Sequence, residues 1–316
     1  MDALRDKIAE LNQQVDMRYA AAQLQTPTHW DYVATQVPSK TAKNVYPWMS
    51  KLPAFKEWNG DNEDANVKSR DYTLVNKTFR MGFDLSVDDV KDDTIGLFGD
   101  VVADAGRSRA EFPDQNVFAT LEAGTSQTCW DGQFFYDTDH PVDIDNAAKG
   151  QFSNLLIGAS YDWVADPSGT FRQVRAAFMK LQRDDGTRIG LVPNILIGGP
   201  DMEYSIAKAV EATFVTDIVK NAGTPVAAAG VTNVFIGKAI GIVTPWIQSS
   251  TRVHALCTTR GLKPLLYQLR EDEGLVGVLD PQAESYRRER KLKWGHFVRA
   301  AFGYGLPQFA ICSGAS

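Results

Sequence analysis

Cys129-Trp130-Asp131-Gly132-Gln133-Phe134-Phe135-Tyr136-Asp137-Thr138-Asp139-His140-Pro141 is the stretch that decides how this chain is read. Asp131-Gly132 is a strong hairpin-turn dipeptide, because glycine accepts the left-handed backbone that a tight turn needs. The aromatics at 134–136 suit a strand leaving that turn. The same stretch holds the best candidate for chemistry. Cys129 with His140 and Asp137 or Asp139 has the residue types of a nucleophile, its base and an acid. Cys129 and His140 stand only eleven positions apart, however, across one expected hairpin. Cysteine enzymes usually bring these groups from distant parts of the chain. Asp137, Asp139 and His140 could face a cation, but two carboxylates at i and i+2 with one His make an incomplete ligand set. The simpler expectation is structural: the acids solvate the turn or receive Arg and Lys partners, and no catalytic, cofactor or metal site is assigned.

Upstream, Ser86, Asp88, Asp89, Asp92 and Asp93 form an acidic helix start, favourable at the positive end of a helix. The helix is expected from about 93 to 109. Pro113 opens a second run, 114–123, ended by Gly124, giving two stacked segments or one long helix kinked at Pro113. Before it, Val75, Phe79, Met81, Phe83, Leu85 and Val87 alternate with period two, Lys77 being the exception. Unbroken, residues 71–87 would reach about 55 Å at ~3.3 Å per residue, so the strand should overhang a compact domain or bend at Gly82.

Four prolines (Pro27, Pro38, Pro47, Pro53) and three tryptophans (Trp30, Trp48, Trp58) lie within 26–60. Prolines at this density forbid one regular element. The large aromatics need burial, either in an irregular lobe or against another chain, where Trp commonly anchors interfaces. Residues 41–75 are therefore expected to contact other copies, with Trp48, Phe55 and Trp58 as candidate anchors. At the amino terminus Leu4, Ile8, Leu11 and Val15 form one apolar seam on a polar helix. So narrow a stripe can dock on its own domain or on a neighbour. The expectation here is an adjacent copy, or an interior surface used by a scaffold.

Downstream, 171–183 reads as an amphipathic helix with Val174, Ala177, Phe178 and Leu181 on one face. Residues 191–197 read as a buried strand, and Asp201 is expected to cap a helix through Phe214. Strands are expected at 233–242, 253–257 and 264–269, with a basic run at 287–293 and an aromatic core strand over 294–311. Gly198-Gly199-Pro200 turns strand into helix; neither GxGxxG nor GxxxxGK[ST] occurs. His29, His254 and His296 are isolated and read as packed or solvent-facing.

The length of 316 residues suggests about two domains. With 44% hydrophobic and 23% charged residues the composition is that of an ordinary globular protein. No apolar run reaches a membrane-spanning length, and the amino terminus is not a secretory signal. Cys129, Cys257 and Cys312 form no CxxC pair, which argues against a disulfide scaffold or zinc ribbon. A net charge of −6 argues against a sequence-reading nucleic-acid binder, though not against a container for DNA.

The hairpin stretch, with Asn154 downstream, resembles the signature block of Mu-like phage major head subunits. The order around it is similar too. Upstream stand Val37-Pro38-Ser39, Tyr46-Pro47-Trp48, Phe55-Lys56-Glu57-Trp58-Asn59-Gly60, Val75-Asn76-Lys77-Thr78-Phe79 and the acidic run 87–93. Downstream stand Asp185-Gly186, Pro193-Asn194-Ile195-Leu196-Ile197, Lys263-Pro264-Leu265-Leu266-Tyr267-Gln268-Leu269-Arg270 and Gly303-Tyr304-Gly305. The likeness runs co-linearly over about 30–312. Arg80 departs from it, since such proteins often carry Glu after the aromatic.

That resemblance implies the α+β Hong Kong 97-type capsid fold: an N-terminal arm (1–38), an extended β-hairpin loop (39–82), a peripheral domain with a long spine helix (83–185 and 285–316) and an axial domain (186–284). It implies the major capsid protein of a tailed bacteriophage or prophage. Such a protein is made in the host bacterial cytoplasm and self-assembles into homo-hexamers and homo-pentamers. These form the icosahedral virion head around double-stranded DNA, without sequence-specific binding. Portal and scaffolding proteins would be partners, with room for a decoration protein; no membrane, cofactor or catalysis is implied. An encapsulin-type nanocompartment and a phage tail-tube protein are the alternatives. A chain starting at Met1 is expected to carry no cleaved scaffolding segment, and no residue signals Lys–Asn cross-linking.

Overall fold

The computed structural model describes residues 2–49, 69–88, 95–183, 185–221, 224–280 and 283–315. Phe55 and Trp58, and the side chains of Leu4 and Trp48, lie outside the described residues. Among these residues the amino-terminal half comprises α1 (Asp2–Gln25), the single turn α2 (Trp30–Val33), β1 (Ala34–Pro38), β2 (Lys43–Met49), β3 (Ser69–Val75), β4 (Lys77–Ser86) and α3 (Ile95–Glu122). Short β5 (His140–Pro141), β6 (Gln151–Phe152) and β7 (Leu155–Ile157) follow, then α4 (Pro167–Lys180), β8 (Ile195–Gly198) and α5 (Glu203–Val210). The remainder is β9 (Phe214–Asn221), β10 (Thr224–Thr232), β11 (Ile240–Val243), β12 (Arg252–Leu256), β13 (Leu265–Val278), α6 (Glu284–Glu289), β14 (Lys291–Tyr304) and β15 (Ala310–Gly314).

Two sheets organise the molecule. The first runs β1-β13-β14-β4, antiparallel except for parallel β1–β13. The second runs β11-β8-β12-β15-β7. The period-two stretch is not one strand. β3 pairs antiparallel with β2, whereas β4 pairs with β14, and the exchange of partners falls at Asn76 rather than at Gly82. Asn76 is pinned there: its Nδ2 donates to Ser39 Oγ (3.0 Å) and Thr41 O (2.9 Å), while its Oδ1 accepts from Gln268 Nε2 (2.6 Å). Gly82 sits in register opposite Gly295, inside the β4–β14 ladder.

α3 is one helix of 28 residues with Pro113 inside it, about 42 Å long at 1.5 Å per residue. It covers the first sheet through aromatic edge contacts: Phe112 meets Phe79 at 4.9 Å and Phe302 at 5.8 Å. Directly after the proline, Asp114 accepts from the amides of His29 (3.0 Å) and Trp30 (2.7 Å), fixing the start of α2. α4 and α5 bury Phe171, Val174, Phe178, Ile206 and Ala209 against the second sheet. The expected helix from Asp201 to Phe214 is shorter, because Phe214 already begins the β9–β10 hairpin. Asp201 makes no side-chain cap.

Sheet membership redraws the expected division of the carboxy-terminal half. β13, placed by sequence in the axial part, is hydrogen-bonded along its length to β14. β15, placed in the peripheral part, lies between β12 and β7 in the second sheet. The backbone crosses between sheets twice, and a cut at 284 divides both.

Candidate assembly surfaces and a buried polar cluster

The amino-terminal seam is used within the subunit. Ile8, Leu11 and Val15 are 5%, 4% and 3% exposed, in one cluster with Tyr19, Leu85, Val87, Val102, Leu292 and Trp294. This corrects the expectation that the seam faces an adjacent copy. The stripe is narrow because α1 rests in a groove of its own chain between α3 and the β4–β14 edge. Gly106 makes the approach possible: a Cβ there would stand 2.5 Å from the Tyr19 carbonyl oxygen. Polar links lock the helix. Tyr19 Oη lies 2.8 Å from His296 Nδ1, and Trp294 Nε1 donates to Asn12 Oδ1 at 2.9 Å. Asp272 lies 2.5 Å from His296 Nε2 and also pairs with Arg109 of α3. The hydrogen bond from His296, with Arg109 adding to it, holds this carboxyl well below the usual range. Of the remaining interface candidates, the structure gives only the backbone of Trp48, paired with Arg70 in the β2–β3 ladder.

A second surface was missed by sequence reading. In the described part of the β9–β10 hairpin and the segment leaving it, Phe214, Val231, Val234, Ile236 and Ile240 are exposed, Val234 by 71% and Phe214 by 67%. The segment is rigidly rooted. Asn233 Nδ2 donates to the carbonyls of Ala209 and Ala212, both at 3.0 Å, at the end of α5. A concentration of exposed aliphatics on an anchored element marks an interaction surface more readily than scattered single residues do.

The hairpin stretch carries a buried polar cluster. Gly132 takes φ +90°, and Cys129 N donates to Gln133 O at 2.8 Å, closing the expected turn. Of the aromatics after it, Phe135 and Tyr136 are core rather than strand, Phe135 stacked on Tyr304 at 4.4 Å, whereas Phe134 is exposed and forms only an isolated bridge with Thr128. Asn154 holds the return of the loop, donating to Phe135 O (2.7 Å) and Pro307 O (3.1 Å) and accepting from Asp137 N (2.9 Å). His140 is fully buried, and its partner is Asp131, at 2.7 Å from Nδ1, not Asp137 or Asp139. Cys129 Sγ donates to the other oxygen of Asp131 at 2.9 Å.

The order is Cys–Asp–His, with the carboxylate between thiol and imidazole. A nucleophile needs its base beside it, and here the thiol faces an acceptor that is already an anion. Burial, then the Asp131 charge, pushes the Cys129 thiol far above its ordinary range. Burial alone would raise Asp131, but the hydrogen bond and charge of His140 outweigh it and lower it. The signal that sequence reading passed over was Asp131 at position i+2 from Cys129. Its Oδ1 also accepts from Gln133 N at 3.1 Å, as a turn aspartate does, which aims the carboxylate inward.

Comparison with known proteins matches this architecture. The chain is 37% identical over 131 residues to the Mu-like prophage FluMu major head subunit of Haemophilus influenzae, covering 41% of this chain and 42% of that protein. It is 38% identical over 116 residues to the major capsid protein of Escherichia phage Mu, covering 37% and 38%. In these alignments the chain thus spans about two-fifths of each relative's length. The solved procapsid of bacteriophage JBD30 superposes with TM-score 0.59 at 23% identity, over 98% of this chain and 75% of that one. The mature capsid of bacteriophage PhiM1 gives 0.57 at 10% identity, over 92% and 88%. A virus-like particle from Pyrococcus furiosus gives 0.54 at 10% identity, over 95% and 98%. The fold is therefore the Hong Kong 97-type α+β capsid fold. The family model for the Mu-like prophage major head subunit gpT matches residues 8–168 and 246–316, extending the likeness toward the amino terminus and leaving out 169–245. The chain belongs to the Mu-like prophage major head subunit gpT family.

Proposed function

We propose that this chain is a major capsid protein of a tailed phage or prophage, building hexamers and pentamers of itself into an icosahedral shell around double-stranded DNA. The observation that carries this reading is the family match on both sides of 169–245, covering the hairpin stretch, α3 and the long β14 strand. In this reading α1 and β1 belong to an arm and β2–β3 to an extended loop. The β13, β14 and β4 strands of the first sheet with α3 make a peripheral part, and the second sheet with α4 and α5 makes an axial part. Trp48, Phe55 and Trp58 are loop anchors on neighbouring copies. DNA is held by enclosure, which the net charge of −6 permits. Assembly takes place in the host cytoplasm with a portal and a scaffold, and a decoration protein can bind the finished shell. The work of the chain is structural: the arrangement of Cys129 and His140 supports no catalytic step.

Expression of the full chain with its neighbouring head genes, followed by negative-stain microscopy and nucleic-acid assay of purified particles, tests this. Closed shells that hold DNA are expected. Tubes would indicate a tail protein, and shells that hold enzymes and no DNA would indicate a nanocompartment; either result overturns the proposal.

A further inference from the structure

The Cys129–Asp131–His140 cluster is left unused by a shell-building role. We propose that it binds one divalent transition-metal ion, zinc by its donor set. The inference stands apart from the capsid reading and concerns the stability of the hairpin stretch.

The donors come first. A thiol, a carboxylate and an imidazole converge so that one ligand atom from each lies within 4.8 Å of the others. The His140 and Asp131 side chains are 0% and 2% exposed. This is a mixed sulfur, nitrogen and oxygen set of the kind zinc takes, not a surface patch of carboxylates. The outer contacts come second. Both ring nitrogens of His140 face acceptors, Nδ1 the Asp131 carboxylate at 2.7 Å and Nε2 the Phe135 carbonyl at 3.3 Å. A neutral imidazole has one N–H to donate. A metal on Nδ1, with Nε2–H kept on the carbonyl, gives both ring nitrogens a partner. This is the outer-shell arrangement of metal-bound histidines, which fixes ring and tautomer.

The exchange balances. The ion forms bonds to Cys129 Sγ, His140 Nδ1 and one Asp131 oxygen. The Cys129 thiol proton, and any proton on His140 Nδ1, leave to solvent as the ion binds, and nothing is oxidised or reduced. Zinc stands about 2.0–2.3 Å from such donors in tetrahedral geometry. The Nδ1–Oδ2 contact of 2.7 Å would then open by roughly half an ångström, while the thiol, now 2.9 Å from the other oxygen, turns toward the ion. Three protein ligands leave the fourth position to water.

The test uses reduced, chelator-stripped full chain titrated with cobalt(II) as a spectroscopic stand-in. The expected result is one cobalt per chain with a thiolate-to-cobalt charge-transfer band, displaced by zinc. Cys129→Ser should abolish the band, while Cys257→Ser and Cys312→Ser keep it. His140→Gln and Asp131→Asn, checked for fold by circular dichroism, should weaken binding at least tenfold. Should Cys129→Ser not fold, the wild-type chain still decides: its Tm should rise with zinc and return with chelator. Absence of a thiolate band in the wild-type chain, its survival in Cys129→Ser, or a Tm indifferent to zinc would overturn the proposal and leave a proton-bonded cluster.

Discussion

Leu11→Ala separates a helix that belongs to its own subunit from one that belongs to its neighbour. Leu11 is 4% exposed in a cluster with Leu85, Val102 and Trp294. Truncating a buried leucine costs about 2–5 kcal/mol, the spread reflecting how far the site collapses. A shallow apolar groove borders Leu11, lined by Leu85, Phe98 and Val102. Its walls can relax, so the lower part of the range applies, about 2–3 kcal/mol. For a chain of this size that is a fall in Tm of about 3–5 °C. The assay is urea and thermal unfolding of unassembled subunits, so that no neighbour contributes. The control is Leu24→Ala on the same helix, where the side chain is 87% exposed and an effect within about 0.5 kcal/mol is expected. If Leu11→Ala and Leu24→Ala unfold alike while Leu11→Ala alone reduces particle yield, the seam serves a neighbouring copy after all and the intramolecular reading is wrong.

Gly106→Val should act in the same direction, since a side chain there meets the Tyr19 carbonyl; limited proteolysis should then release α1 faster than in the wild type. Val234→Asp with Ile236→Asp should leave the subunit's unfolding midpoint within about 0.5 kcal/mol, as expected for exposed positions. It should also lower capsomer and shell yield, read by light scattering and microscopy; unchanged yield would remove this surface from assembly. Asn154→Leu should cost about 1–3 kcal/mol by removing a donor from the Phe135 and Pro307 carbonyls and leaving the Asp137 amide without its acceptor, measured by urea unfolding. His254 gives a pH signature. Burial holds it neutral and lowers it to about 3, so between the ordinary histidine value of about 6.5 and 3 the unfolded chain binds the extra proton. Stability should therefore fall as pH drops through that window, and His254→Leu should flatten this part of the profile.

What could be read from sequence followed where local physics was decisive. The turn at Asp131-Gly132 is fixed by the backbone that Gly132 alone tolerates there, and α3 by apolar spacing and a proline that one long helix absorbs. The alternation through 71–87 correctly announced extended chain. It could not announce that partners change at Asn76, because that depends on Ser39, Thr41 and Gln268, all remote in sequence. The full length of β13 was hidden by the charged run Arg270-Glu271-Asp272-Glu273, where the ladder to β14 shifts register twice. The β9–β10 hairpin was hidden by the small residues 227–230, which carry little strand preference.

The seam on α1 shows why the functional reading was harder than the fold. Periodicity fixes that Leu11 and Val15 share a face, and therefore that something covers them. It carries no information on whether the cover is the same chain or the next one. That answer depends on Gly106 standing where α1 crosses, and on Tyr19 meeting His296 across 277 positions. The buried cluster follows the same logic. Asp131 looked committed to its turn, and Asp137 and Asp139 looked free to serve His140. A turn aspartate whose Oδ1 accepts from the amide two residues on still has a second oxygen, and in a turn packed onto the core that oxygen points inward. His140 is brought to it by the loop that Asn154 closes. Acids at tight turns beside a buried cysteine are therefore the ones to test first as partners, ahead of those that sit nearer the histidine in sequence.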